Sequence, residues 1–408
     1  MCEEKKYIIL HKFLIDTANF KVIMQQSIID REKLRSESLN LLRFPLAIVI
    51  LIVHVFSAGN FILHGHVYLA DSTPIFKEFN YFIDGFIRGR SVPIYYFISG
   101  YVFFVGITLT KEKYIQKLKN RVKTLFIPYI IWNTVAILIG LICFLPFLER
   151  FFPNLGTIKI DFSLSSILYS YWDRSYGIFK SFTDNAEYVP NTCFPEDKPL
   201  WFLRDLMIVV LTTPIIYWIL KRTKYYFVLA LGVLWFVLGL FGDLLHTTQL
   251  VIAYFFFTFG AYMSVNKKDM LIEFGKYFRL SIILYITFSL LYVAMIHVYP
   301  IANRVIHQIN IFVGLIFAYN IATWLLEKKI CKPNKFLASA SFFIYVTHTL
   351  ICTYILKIHF LIFNPTTDAM KFYVYTSTVL ITAGSLLLTF WLLREYAPGL
   401  LKVIAGRK

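Results

Sequence analysis

The chain has 408 residues, 58% of them hydrophobic, 18% aromatic and only 16% charged. That balance excludes an ordinary soluble domain and fits an all-α polytopic membrane protein built as one large transmembrane unit. The formal net charge of +17 raises nucleic acid as a partner, and the placement of the charge along the chain excludes it.

Residues 1–38 form an N-terminal segment. Its apolar stretch, Tyr7-Ile-Ile-Leu-His-Lys-Phe-Leu-Ile, is too short to span a bilayer and lacks a signal-peptide cleavage pattern. It reads either as a helix lying on the inner leaflet or as a dispensable leader ahead of a start at Met24. The transmembrane unit follows over 39–394, and 395–408 is a tail.

The first span, 39–64, carries two ionisable side chains, Arg43 and His54, in an otherwise apolar run. At ~100° per residue their eleven-residue separation puts them ~20° apart on one helix face, with a rise of ~16 Å between them. A charge inside hydrocarbon needs a partner or water, so such residues are functional candidates. The pattern predicts a polar seam with a cation near one mouth and an imidazole deep within.

The second span is predicted over 80–108, with Ser99 and Gly100 in mid-span, where small residues serve close helix packing. The loop after it holds Lys111, Lys113, Lys117, Lys119, Arg121 and Lys123 against Glu112. A membrane flank needs about three such charges, and the surplus beside Arg43 suits a polyphosphate ligand. The third span is 125–148.

Residues 149–199 form one long loop with several aromatic residues, among them Tyr169, Tyr171, Trp172 and Tyr176. Loops of that length are usually functional. This one reads either as an aromatic platform for a sugar or as a structured lid. Span four, 200–220, begins Leu200-Trp-Phe-Leu-Arg-Asp-Leu. Arg204 and Asp205 are sequence neighbours and project ~100° apart, which predicts a partner on another helix for each.

Spans at 225–242, 248–264, 280–299 and 305–326 carry little chemistry; His246, His297 and His307 near their ends read as interfacial. Span nine, 336–356, sets Ser341, Tyr345 and His348 on one face at spacings of four and three. Span ten is 372–393. No metal-ligand spacing appears, so no metal is expected, and one cysteine in an outside loop, Cys193, gives no internal disulfide there.

Ten spans with both termini cytoplasmic put 28 basic and 11 acidic residues inside and 11 basic and 12 acidic residues outside. The whole basic excess then lies on one side, as the positive-inside rule requires, and forms span flanks rather than a nucleic-acid stripe.

Five blocks now stand in order. They are Arg43 with ten residues before His54; Val92-Pro-Ile-Tyr-Tyr-Phe-Ile-Ser-Gly-Tyr; Arg121-Val-Lys-Thr-Leu-Phe-Ile-Pro-Tyr; Leu200-Trp-Phe-Leu-Arg-Asp-Leu; and Phe343-Ile-Tyr-Val-Thr-His. From about residue 36 to 394 the chain resembles the integral-membrane acyltransferase family three, whose members O-acylate cell-envelope glycans. The resemblance implies a cytoplasmic acyl-CoA donor, usually acetyl-CoA, as cosubstrate, with no permanently bound cofactor. It also implies a saccharide or lipid-linked glycan acceptor and a bacterial inner-membrane location. His54 and Arg43 match the family's essential pair, and Arg121 matches the first basic position of its third-span motif. The second basic position of that motif is Thr124 here, with Lys123 beside it. Donor binding is thus expected at Arg121, Lys117, Lys119 and Lys123, with support from Ser99, Tyr101, Trp201, Arg204, Asp205, Ser341, Tyr345 and His348. The competing expectation is a transporter or flippase of a glycan precursor, since intramembrane charges serve translocation equally well.

Overall fold

A computed structural model describes residues 30–57, 61–63, 66–68, 73–106, 108–145, 158–183, 186–188, 193–241 and 245–406. The apolar stretch at 7–15 and Met24 lie outside them. The first helix, α1 (Asp30–Phe56), opens nine residues before the expected span. A two-stranded hairpin follows, β1 (Phe61–Leu63) and β2 (His66–Tyr68).

The predicted second span is two helices, α2 (Pro74–Phe86) and α3 (Ser91–Phe104). Gly89 takes a positive φ of 79° in the break, a conformation that costs glycine little. Arg90 is 4% exposed and holds the break by donating to the carbonyls of Asp84 (3.0 Å), Gly85 and Arg88. The sequence marks the place with the charged stretch Asp84-Gly-Phe-Ile-Arg-Gly-Arg ahead of the apolar run from Val92, and the structure shows that it separates two helices.

Helix α4 (Lys111–Cys143) runs continuously from the basic stretch into the third span. Val122–Phe126 within it is a π-helical turn. Pro128, two residues on, has no N–H and would crowd the carbonyl of Thr124 in a regular helix, and the wider turn relieves both faults. The long loop folds as a three-stranded antiparallel sheet, β3 (Ile158–Ile160), β4 (Phe179–Thr183) and β5 (Ala186–Tyr188) in that order, with a short helix α5 (Leu164–Ser170) between β3 and β4.

Next come α6 (Trp201–Leu211) and α7 (Thr213–Thr223), bent by 62° at Thr212. Pro214 causes the bend by removing a backbone donor. The Thr213 hydroxyl donates to the Val210 carbonyl at 2.7 Å and satisfies the acceptor that the proline leaves behind. The remaining elements are α8 (Tyr225–Phe241), α9 (Leu245–Val265), the short α10 (Met270–Gly275), α11 (Phe278–Met295), α12 (Pro300–Glu327), α13 (Lys335–Phe363), α14 (Asp368–Tyr396) and the short α15 (Pro398–Ile404). Asn334 opens α13 by accepting from the amides of Phe336 and Leu337 at 2.9 and 3.2 Å, the usual N-cap bond.

Six helices, α1, α4, α11, α12, α13 and α14, are long and apolar enough to cross a bilayer, and the bent α6–α7 pair makes a seventh if it counts as one span. The protein is a helical membrane protein, with fewer full-length spans among the described residues than the ten that hydropathy predicts. Large apolar residues such as Leu280, Ile283, Leu290, Leu380 and Leu388 face outward and exposed, as lipid-facing positions do.

The tightest packing is α3 against α9. A Cβ on Gly100 would lie 2.0 Å from the Phe257 carbonyl oxygen, and one on Gly260 would lie 2.0 Å from that of Phe97. Gly100 thus serves close helix packing. Gly100→Ala is expected to cost about 1–3 kcal/mol by overpacking, read as a lower thermal midpoint of the detergent-purified protein; an unchanged midpoint would show that the interface relaxes freely.

Candidate functional site

Helix α1 lies in the middle of the bundle. Leu42, Leu46 and Ile50 join one core cluster, Leu51, Val55 and Phe56 a second, and Ala47 a third. Arg43 and His54 each open onto a cavity, and the two cavities are different.

The first has a volume of about 620 Å³ and is lined by Arg43, Lys117 and Arg121, with Tyr95, Ser99, Thr124, Ser341 and Tyr345 as polar company. It has three cations and no carboxylate among the described lining residues. Lys117 also donates to the Phe103 carbonyl and sits 4.7 Å over the Phe103 ring, so its ammonium is held at the wall. Tyr95 donates to the Arg43 carbonyl at 2.6 Å and fixes that turn of α1. The chain's last described turn, Ala405–Gly406, closes one side. Gly406 has a φ of 57°, and a Cβ there would come 2.2 Å from the Thr124 carbonyl oxygen.

The second cavity is about 720 Å³ and holds His54 together with Arg174, Glu196, Asp197, Lys198, Thr349 and Lys357. Its charge is mixed, and residues of the long loop form part of its wall.

The seam between Arg43 and His54 is not an open groove. Ala47 and Ile50 lie between them on the same helix face and are 1% and 7% exposed. Across from α1, Tyr345 lines the first cavity and Thr349 the second. Those two residues are one turn of α13 apart, a rise of ~6 Å. Between them lies His348, fully buried, its ring centroid 5.0 Å from that of His54. Its Nδ1 lies 2.8 Å from the Tyr345 carbonyl and 3.2 Å from that of Ile344. Carbonyls only accept, so Nδ1 carries the proton and Nε2 is a bare acceptor; no group among the described residues reaches that Nε2.

The other expected residues separate cleanly. Ser99 and Ser341 line the first cavity. Lys119 and Lys123 are exposed and point off it, because Lys117 and Arg121 share one face of α4 and the odd-numbered neighbours between and beyond them share the other. Tyr101 belongs to a different polar cavity behind α3, beside Arg35 at 5.6 Å. Trp201 is half-buried and packs near Phe194. His307, expected at an interface, packs against Tyr292 and Gly89; His297 is exposed beside Tyr81.

Arg204 and Asp205 correct the sequence expectation that they cannot pair. Arg204 Nε donates to Asp205 Oδ1 at 2.8 Å, and both side chains are 5% exposed or less. The long arginine stem covers the 100° between the two positions. Its Nη1 donates to the long loop, to the carbonyls of Trp172 (2.7 Å) and Cys193 (3.1 Å). The pair staples that loop to the start of α6.

The family of acyltransferase domains matches residues 36–394. The chain belongs to acyltransferase family 3. No curated protein and no solved structure is significantly similar to it. The match spans all five sequence blocks and every wall of both cavities except Ala405 and Gly406, so this multi-pass membrane acyltransferase has its whole candidate site within the family domain.

Sequence reasoning passed over Asp197, Thr349 and Asn133, which meet across three elements of the acyltransferase. Asn133 Oδ1 accepts from the Asp197 amide at 3.0 Å, and Thr349 donates to Asp197 Oδ1 at 2.9 Å. Burial pushes the Asp197 carboxyl up to about 8, against the opposing Thr349 bond and with the help of Glu196 beside it. In the sequence, Glu196-Asp197-Lys198 looks like ordinary loop charge ahead of a proline, and nothing local marks it.

Proposed function

We propose that the protein transfers an acetyl group from cytoplasmic acetyl-CoA to a hydroxyl of a cell-envelope saccharide, with His54 as general base. The observation that carries this reading is the pair of unlike cavities that approach within one turn of α13 on either side of the His54–His348 contact. Three cations with no carboxylate form a site for a polyanion, which the diphosphate and 3′-phosphate of CoA supply. The basic stretch Lys111–Lys123 beside that cavity supports a cytoplasmic side for it, since basic flanks favour that face of the membrane. The second cavity, with cations and carboxyls both in its wall, then opens outward to a neutral, polar acceptor.

The chemistry at the septum is a single acyl transfer. The acceptor oxygen attacks the thioester carbonyl, the C–O bond forms and the C–S bond breaks. His54 takes the hydroxyl proton and returns it to the departing thiolate, so the products are an O-acetyl ester and free CoA thiol. The pantetheine arm is long enough for the ~16 Å rise between Arg43 and His54, and it passes the Tyr345–His348 turn only when those side chains part.

The test is thermal stability of the detergent-purified protein with and without acetyl-CoA. A ligand that binds only the folded state adds about 2.7 kcal/mol at a hundredfold excess over its dissociation constant. The wild type is expected to shift upward, and Arg43→Ala and Arg121→Ala are expected to lose the shift. No shift at millimolar acetyl-CoA would favour a translocation path along Arg43 and His54, a transporter's use of the same seam.

A further inference from the structure

Asp197 is 2% exposed, yet only one of its carboxyl oxygens is used by the described residues. Oδ1 accepts from Thr349. Oδ2 has no partner among the described residues, and the residue lines the His54 cavity. Asn133 grips its amide from α4, so the carboxyl is fixed from two sides and does not turn away. A buried polar oxygen without a partner has lost its water and gained nothing for it. Such a group in a cavity wall is the mark of a position that a ligand completes.

We propose that Asp197 is the acceptor-binding residue: its Oδ2 takes a hydroxyl of the saccharide next to the one that reacts at His54. The assignment rests on the acyl-transfer reading above and adds to it the group that selects and orients the acceptor. The donor's phosphates are better served by the first cavity, whose three cations have no carboxylate beside them among the described residues, whereas in the second Glu196 and Asp197 accompany Arg174, Lys198 and Lys357. The acceptor fits, because Thr349, the residue that holds Oδ1, directly follows His348, whose ring centroid is 5.0 Å from that of His54. One rigid turn of α13 therefore sets the distance between the bound hydroxyl and the reacting one. A carboxyl held near neutrality both donates and accepts, which suits a sugar hydroxyl that does the same.

The experiment uses membranes carrying the full chain as wild type, Asp197→Ala or Asp197→Asn. Labelled acetyl-CoA is the donor, and the saccharide fraction extracted from the same cells is the acceptor probe. Asp197→Ala is expected to raise the half-saturating saccharide concentration at least tenfold while the half-saturating acetyl-CoA concentration stays within twofold. Asp197→Asn, which keeps the Thr349 bond and an amide at Oδ2, is expected within threefold of wild type for both. An unchanged saccharide dependence in a folded Asp197→Ala protein overturns the proposal. So does an equal loss of donor and acceptor dependence with a lowered thermal midpoint, the signature of a purely structural residue. A wild type that moves no label into saccharide, yet keeps its fold, overturns the acyl-transfer reading itself, and the assignment of Asp197 with it.

Discussion

Replacing His54 by Ala is expected to lower acyl transfer by roughly 10²–10⁴-fold, the usual contribution of a positioned general base. The protein should fold and bind donor normally. His54 is exposed to its cavity rather than packed in a core, and its described neighbour is the His348 ring rather than a hydrogen-bonded network. Removing the imidazole therefore costs little stability. Arg43, Lys117 and Arg121 lie in the other cavity and are untouched, so the acetyl-CoA-dependent thermal shift is expected to persist in His54→Ala. The measurement is label transfer from acetyl-CoA alongside that shift. Full transfer by an inserted His54→Ala protein would sink the central assignment. Loss of the shift together with transfer would instead make His54 a donor-binding residue.

The second large effect is on stability. Arg204→Ala is expected to cost on the order of 3–5 kcal/mol, the range for breaking one side of a buried ion pair. The mutation removes the guanidinium that faces the Asp205 carboxylate at 2.8 Å. It also strips the carbonyls of Trp172 and Cys193 of their donor. The long loop should then detach from the start of α6 before the bundle itself loosens. The expected observations are a lowered thermal midpoint and faster limited proteolysis within 149–199. Arg204→Lys is expected to rescue poorly, since one ammonium does not reproduce a fork that serves a carboxylate and two carbonyls. Wild-type stability and protease resistance in Arg204→Ala would remove the staple from the account. Because the loop supplies Arg174, Glu196 and Asp197 to the His54 cavity, weaker acceptor use should accompany the loosened loop.

Much of this protein is legible in its sequence, for a physical reason that particular residues make clear. The apolar runs fix a helical membrane protein because hydrocarbon forces the backbone to satisfy its hydrogen bonds within each segment. The eleven-residue interval between Arg43 and His54 fixes their shared face because helical phase depends on counting alone. The five ordered blocks carry the family, which the match over 36–394 bears out.

What depends on contacts between distant segments was decided only by the tertiary structure. Periodicity separates Lys117 and Arg121 from Lys119 and Lys123, yet which face of α4 turns to the cavity is set by the helices packed around it. The charged stretch around Gly89 and Arg90 is visible in the sequence, yet that Arg90 turns back, buried, to hold a break between two helices depends on the carbonyls of Asp84, Gly85 and Arg88 that it meets there. The Arg204–Asp205 pair depends on side-chain reach and on loop carbonyls more than ten residues away in sequence. Asp197 becomes a candidate only when Asn133 and Thr349, 64 and 152 residues distant, close on it. Local phase and hydrophobicity are properties of the sequence itself, whereas a site made where three segments meet exists only once the bundle has packed.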